Sequence, residues 1–534
     1  MRIKTITALA VAALATSLSL TACSSGGDNN SDYVTVNGAE PQNPLVPTNT
    51  NENMGGRVVD RLWAGLKYYD ANGTPHDEMA QSIVTPDRQH YTITIKPDWT
   101  FTDGTAVTSK SFVDAWNYGA LGTNAQLQNW VFTPIVGYDD VAANPPKAQS
   151  MSGLKVVDDH TFTVDLKQPS IDFELELGFA PFYPLPAVAY RDMKAFGENP
   201  IGNGPYKFAE AGAWQHNVQI DVVPNPDYKG GRPAKNKGLR FKMYANMDTA
   251  YADLLQGNLD ALDVIPDTAL ATYEKDLGDR AIHKPIAYSQ HIGIQPNVAH
   301  FSGPEGVLRR KAISMAINRE QIAANIFHNT RVPCQDFTAF TLPGFRAGLP
   351  GSEVLKFNPD EAKKLWAQAD AMSPWSGTFQ IAYNSDGGHQ AWIEATANSI
   401  KNTLGIDAVG APYATFKNIR DEIVHENVGK AFRYGWQGDY PSMFEYLTAL
   451  FLSSSETNDA HYRNPEFDRL LNSALAAATP EQAYDGIAQA QTVLFRDMAD
   501  IPIFDYNVAA GRSDKVKQAP VSWSGLFDFE NIEK

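Results

Sequence analysis

Two hydrophobic periods alternate along this chain. At positions 91–95, and again over 156–167, apolar residues recur at every second position, as strands with one buried face require. Elsewhere they recur at helical spacing. Positions 54–66 place Val58, Leu62 and Leu66 on one helical face. Thr108 or Ser109 is placed to cap a helix with Phe112, Ala115 or Trp116, and Gly119 on one side. Over 304–327, Leu308, Ala312, Met315, Ala316 and Ile322 form an apolar stripe, with Arg309, Arg310 and Lys311 mostly outside it. Asn358-Pro359-Asp360 opens a further helix. Positions 379–383 predict a strand, 392–404 a helix stopped by Gly405, and 406–409 the next strand. Near the start, 32–37 alternates like a first strand, and Pro41, Pro44 and Pro47 keep the following chain extended. Asp103-Gly104 and Asp158-Asp159 mark turns. The strand–helix–strand alternation predicts α/β lobes.

The first thirty positions follow neither period. Arg2 and Lys4 precede an apolar run over 6–20 that Leu20-Thr21-Ala22-Cys23 closes, the order of a secretory signal. That ending resembles a bacterial lipobox, which implies removal of residues 1–22, diacylation of Cys23 and attachment to the cell membrane through the lipid. The Ser/Gly/Asn run that follows cannot bury enough apolar surface to fold, so 23–31 is read as a lipidated tether. No later run reaches the roughly 18 apolar residues of a membrane span. A chain of 534 residues exceeds what one hydrophobic core serves, so two or three domains are expected. A net charge of −17 argues against nucleic acid as a partner. With Cys23 lipidated only Cys334 remains, which leaves no internal disulfide and favours a packed thiol.

Catalytic signatures are missing. There is no Gly-x-Ser-x-Gly elbow, no His-Glu-x-x-His, no Walker loop and no Cys-x-x-Cys. Gly202-Asn203-Gly204-Pro205-Tyr206 has the glycines of a phosphate loop, but Pro205 removes a backbone donor, and a plain turn fits better. His76 beside Asp77-Glu78 and His425 beside Glu426 lack metal-ligand spacing and read as solvated surface. Neither enzyme chemistry nor a cofactor is expected.

Four stretches carry a resemblance. Phe101-Thr102-Asp103-Gly104-Thr105, Asn203-Gly204-Pro205-Tyr206-Lys207-Phe208, the run from Arg309-Arg310-Lys311-Ala312 to Ala316-Ile317-Asn318-Arg319-Glu320, and Ile501-Pro502-Ile503-Phe504 stand in one order. Together they resemble the peptide/nickel family, family 5, of extracellular solute-binding proteins of ABC importers, with Asn318 where Asp is usual. Arg433-Tyr434-Gly435-Trp436-Gln437-Gly438-Asp439-Tyr440 and the upstream Tyr383-Asn384…His389 are most similar to oligopeptide-binding members. The resemblance implies a bilobal type II (venus-flytrap) α/β fold with an additional domain. Lobe I would be 32–56, 189–286 and 509–534, domain II 57–188, and lobe III 287–508. It also implies a peptide in a cleft between lobes, handed to a permease by a lipid-anchored monomer outside the cytoplasm. Asp439 would pair with the peptide's α-ammonium. Arg433 and His389 would meet its carboxylate, while Trp436, Gln437, Gly438 and Tyr440 would border the cleft. Thr50, Asn51 and Glu52 fall where the family offers a strand to the peptide backbone. Some members carry a disulfide cysteine immediately after the tryptophan; Gln437 stands there instead.

These residue types suit a receptor blind to side chains. Every free peptide offers an ammonium, a carboxylate and a strand-like backbone, and strand addition reads the last without regard to sequence. A desolvated ammonium needs an ionised partner, and Arg's planar fork matches a carboxylate. Read from spacing alone, Asp439 could equally cap the turn before Pro441, Arg433 could pair with a surface acid, and Trp436 and Tyr440 could be partly core. A dipeptide or oligosaccharide receptor, a lipid-anchored hydrolase and an adhesive lipoprotein are the competing functions.

Overall fold

The structure, a computed structural model, describes residues 32–455 and 457–534, so Cys23, the leader and the tether lie outside the described residues. The chain opens with β1 (Val34–Gly38) and α1 (Asn53–Leu62). β2 (Ala80–Val84), β3 (His90–Ile95), β4 (Leu154–Asp158) and β5 (Thr161–Asp165) then form a separate antiparallel sheet in the order β2-β3-β5-β4. Against it lie α2 (Ser109–Ala120), which begins beyond the N-cap Thr108, and the single turn α3 (Phe173–Glu176). The main sheet draws on β1, β6 (Tyr206–Phe208), β7 (Gln219–Pro224), β8 (Leu239–Met243), β9 (Ala261–Leu262), β10 (Ala281–Gly293), β11 (Phe379–Asn384), β12 (Ala408–Tyr413), β13 (Ala431–Gln437) and β14 (Ile501–Arg512). Their order is β12-β11-β13-β10-β14-β9-β1-β8-β7-β6. Its helices include α4 (Gly303–Ala316), α5 (Arg319–Ile326), α6 (Pro359–Met372), α7 (Gln390–Leu404), α8 (Phe416–Val424) and α9 (Met443–Phe451).

Three hydrophobic cores hold the chain. One spans residues from Ala287 to Phe504, a second joins residues from Val34 to Phe241 with Ile286 and the segment Val508–Ile532, and a small third packs around Leu254, Leu262 and Tyr273. The antiparallel pair β10 and β14 runs through both large cores. Ile286 belongs to one and Ala287 to the other, and on the partner strand the change falls between Phe504 and Val508. The ladder slips register between Pro285 and Ser289, and again between Gln290 and His291. A polar chain locks this crossing: Ser289 Oγ lies 2.8 Å from His291 Nε2, His291 Nδ1 lies 2.9 Å from Asp500, and the Tyr434 hydroxyl donates to the same carboxylate. Ser289, His291 and Asp500 are each 0% exposed, so this Ser–His–Asp relay is sealed from any substrate.

Local packing revises several sequence expectations. α1 stops at Leu62, four positions early, because the 202–204 turn backs onto its last turn: the Gly204 N–H donates to Leu62 O at 2.8 Å. A Cβ on Gly202 would sit 1.9 Å from that same oxygen, which explains glycine there. The strand expected at 406–409 is β12, shifted to 408–413 by its parallel pairing with β11, from Phe379↔Ala408 to Asn384↔Tyr413. Arg309, expected outside the apolar stripe, is fully buried. Its guanidinium lies 4.4 Å from the Trp366 ring and pairs with Glu305 at 2.8 Å and Asp370 at 3.1 Å, so its charge is countered inside the core although Nη1 is left without an acceptor. Cys334 is packed in the core, where burial pushes its thiol well up. No helix among the described residues is long and apolar enough to cross a membrane.

The Asn318-Arg319 step explains its own sequence. Asn318 caps α5 by accepting from Gln321 N at 3.1 Å. Arg319, buried, donates to the carbonyls of Pro502, Ser314 and Leu355 and so ties α5 to β14. Arg319→Met would leave those carbonyls unpaired, and the unfolding transition of the Ala287–Phe504 core should lose about 3 kcal/mol in urea titration. A loss near zero would mean the carbonyls find other donors.

Candidate functional site

Where the three cores meet there is a cavity of about 620 Å³, within the range of small-ligand sites. Ile265 and Leu270 wall it from the small core, Ile286 and Val508 from the second, and Ile419 and Ile423 from the first. β13 forms one flank and puts Arg433, Trp436 and Gln437 on the wall. Its neighbour β10 pairs with it from Tyr288↔Gln437 to Gly293↔Phe432, which fixes the direction of the flank.

The Arg433 end is cationic. Arg433 is 7% exposed and donates to Asn384 Oδ1 at 3.0 Å, while its Nε has no partner. Arg331 joins it from the other side. Its guanidinium lies 3.5 Å from the Tyr506 ring centroid, Nη1 donates to Thr330 O at 2.7 Å, and its Nε too is buried without a partner. Among the described residues neither arginine meets a carboxylate within ion-pair distance, whereas the nearby Arg420 is spent on Asp459. His389, just before α7, completes the group. Burial first, then the charges of Arg433 and Arg331, drive its pKa down to about 3. The Trp392 indole N–H lies 3.2 Å from His389 Nδ1 and can only donate, so the neutral imidazole carries its proton on Nε2. Two guanidiniums and one neutral N–H donor make an anion site.

The other end is acidic. Trp436 Nε1 donates to Glu445 Oε1 at 2.6 Å. Gln437 acts as a clasp: Oε1 accepts from Asn53 Nδ2 at 3.1 Å and Nε2 donates to Ser524 O at 2.5 Å. A Cβ on Gly438 would come within 3.1 Å of the Trp523 ring, and the Gly438 N–H donates to Ala287 O at 3.0 Å. Asp439 lies just past this wall, half-buried, and among the described residues its carboxylate has neither a hydrogen-bond nor an ion-pair partner. Burial and the neighbouring Asp60 raise its pKa to about 7. Glu445 is pushed well above the usual carboxylate range by burial and by Asp439. Tyr440 is buried and reaches Glu176 at 3.4 Å.

The 50–52 segment is used locally. Thr50 is buried and donates to Val46 O at 3.0 Å; Asn51 is exposed. Glu52 caps α1 by accepting from Met54 N at 2.7 Å and Gly55 N at 2.8 Å, which commits its carboxylate. The next residues, Asn53 and Met54, are the ones on the cavity wall. Sequence reading missed Arg331, Asp60 and Glu445, which come from three remote segments. The described residues contain no group of three or more side chains suited to hold a metal ion. His76 and His425 face Asp70 and the Asp421 carbonyl instead.

Comparison with known proteins accounts for this architecture. Residues 74–458 match the model of bacterial extracellular solute-binding proteins, family 5 Middle. The chain belongs to that family. The oligopeptide-binding protein OppA of Bacillus subtilis is 25% identical over 91% of this chain and 90% of its own length. The periplasmic OppA of Salmonella typhimurium is 27% identical over 94% and 92%. The crystal structure of Haemophilus influenzae OppA in complex with RPPGFSPFR superposes with a TM-score of 0.78 at 24% identity, covering 94% of this chain and 98% of that one. The expected bilobal α/β fold is the one these structures share.

Nitrogen-edited NMR of the histidines tests the anion site. His389 should remain a neutral Nε2–H tautomer down to about pH 4, unlike a free imidazole, whose ordinary pKa is about 6.5. A His389 that titrates like one would mean the two arginines lie farther away.

Proposed function

We propose that this protein captures peptides of a few residues in a cleft between its lobes and delivers them to the permease of an ABC importer. In this reading lobe I is 32–56, 189–286 and 509–534, domain II is 57–188, and lobe III is 287–508. The protein works as a monomer outside the cytoplasm, held to the membrane by lipid on Cys23. Family membership and relatives named as oligopeptide-binding support it.

One observation carries the ligand assignment: the cavity flank has unpaired cations at one end and an unpaired carboxylate beyond the other. A zwitterionic chain complements both. Asp439 takes the α-ammonium, and Arg433, Arg331 and the His389 N–H take the carboxylate. From position 433 to 439 an extended chain covers about 20 Å, which fits a peptide of about five or six residues better than a dipeptide. An uncharged oligosaccharide leaves both charge sets unanswered. The indole of Trp436 and the clasp of Gln437 border the middle, and Thr50, Asn51 and Glu52 hold Asn53 and Met54 against it.

Calorimetry with a peptide library, repeated with N-acetylated copies, tests the reading. Acetylation should abolish tight binding, and peptides should be recovered uncut; cleaved products would identify a hydrolase. Asp439→Asn should weaken binding about 30-fold or more, because the ammonium is then buried without its counter-ion. Equal affinity for acetylated and free peptides would remove Asp439 from the site.

The pH dependence has a defined sign. Folded and empty, the protein keeps the Asp439 proton up to about pH 7, whereas the unfolded chain loses it near pH 4. Across that window rising pH costs the ligand-free fold stability. A bound ammonium favours the ionised form and restores what was lost. The peptide-induced rise in Tm should therefore grow from about pH 5 to about 7.5, then shrink as the free peptide's amine loses its proton near pH 8. A flat profile would place the ammonium elsewhere.

A further inference from the structure

Asp439 is one of five crowded carboxylates. Asp60 acts on it directly, and its own charge acts on Glu445. Beyond them, Asp172 acts on Glu445 and on Glu176, so the group continues from the end of β13 into α3. Burial raises the pKa of every member. Among the described residues no lysine, arginine or histidine lies within ion-pair distance of any of the five, though the charges of Arg61 and Arg232 reach Asp60 and leave the other four without a cation; Lys67 is held by Asp77 and Glu174.

Two of the acids are nine-tenths buried with an oxygen left over. Asp172, 6% exposed, accepts from Ser442 Oγ at 2.7 Å through Oδ1, and its Oδ2 has no partner. Glu445, 2% exposed, spends Oε1 on Trp436, and its Oε2 has none. Such orphaned acceptors are costly unless a donor arrives. Aromatic rings surround them. Tyr69 feels the charges of Asp172, Glu176 and Asp60 and packs edge-on to Trp523 at 6.0 Å, and Phe179 lies 6.4 Å from Tyr440. Carboxylates among aromatic faces suit an organic cation. One α-ammonium satisfies one acid and leaves the rest in excess.

We propose that this acidic group reads the first side chain of the peptide and selects a cationic one, lysine or arginine, placed beyond Asp439 toward Glu176 and Asp172. The proposal rests on the peptide reading and names its ligand class. Glu176 and Asp439 are half-buried and give access, while Asp172 and Glu445 lie deeper. The α-ammonium and the side-chain cation would then divide the acids between them, and the aliphatic stem would lie along Tyr440 and Phe179.

Calorimetry on the full chain with pentapeptides identical except at residue one tests this. The probes are lysine, norleucine and glutamate at residue one, a peptide with lysine moved to residue three, and a free alkyl diamine. Lysine first should bind at least about tenfold tighter than norleucine first, and glutamate first weakest. In both Glu176→Gln and Asp172→Asn that lysine-to-norleucine ratio should fall below about threefold. Two variants guard against a folding defect in either. Equal affinities for lysine and norleucine, an advantage kept when lysine moves to residue three, a ratio unchanged in both variants, or a diamine that binds as tightly as the peptide would each overturn the assignment. Those outcomes leave the peptide reading standing, whereas failure of every peptide to bind overturns that reading and this proposal with it.

Discussion

An ion in a low-dielectric pocket without its counter-ion is costly, and this chain leaves two such sets along one strand. β13 carries Arg433 near its start and Asp439 just past its end. The two sets cope with the empty state differently. Burial pushes the carboxylates toward their protonated forms. The guanidiniums cannot shed their protons, so Arg331 stacks on Tyr506 and both arginines donate to neutral oxygens. Suppressing His389 as a third cation keeps the arginine end from repelling itself further, and Trp392 fixes which ring nitrogen stays a donor.

The residues that were legible in the sequence are those whose meaning is local. The strand period of 91–95, the cap at Thr108, the Gly405 stop and the family segments all report structure within a few positions of themselves. Arg433, His389 and Trp436 reach the cavity wall because their segment travels as one strand and its neighbouring loop. What could not be read was composed at a distance. Asp60, Asp172 and Glu176 meet the end of β13 only through folding, and Arg331 arrives from a short strand paired with β14. Arg309 defeated the helical pattern because two tryptophans from outside its helix pack against its guanidinium. Glu52 spends its side chain on capping the helix it starts, a local use that helical start signals make legible.

The sheet explains why a charge-reading cavity sits here. β10 and β14 are shared by two cores, so the cores are joined by continuous backbone and not by a flexible linker. Relative movement of the cores has to pass through the register slips between Pro285 and Ser289 and between Gln290 and His291. The sealed Ser289–His291–Asp500–Tyr434 chain spans the second of those slips and stiffens it, which leaves the first, between Pro285 and Ser289, the freer to bend. Gln437 then matters for more than its position after a tryptophan. Where a disulfide would fasten that corner covalently, two amide hydrogen bonds tie β13 to Asn53 and Ser524 across the boundary between cores. Each contributes about 1 kcal/mol. In the proposed capture of a peptide, charge would supply the reason to close, and an amide clasp of that strength would keep closure reversible.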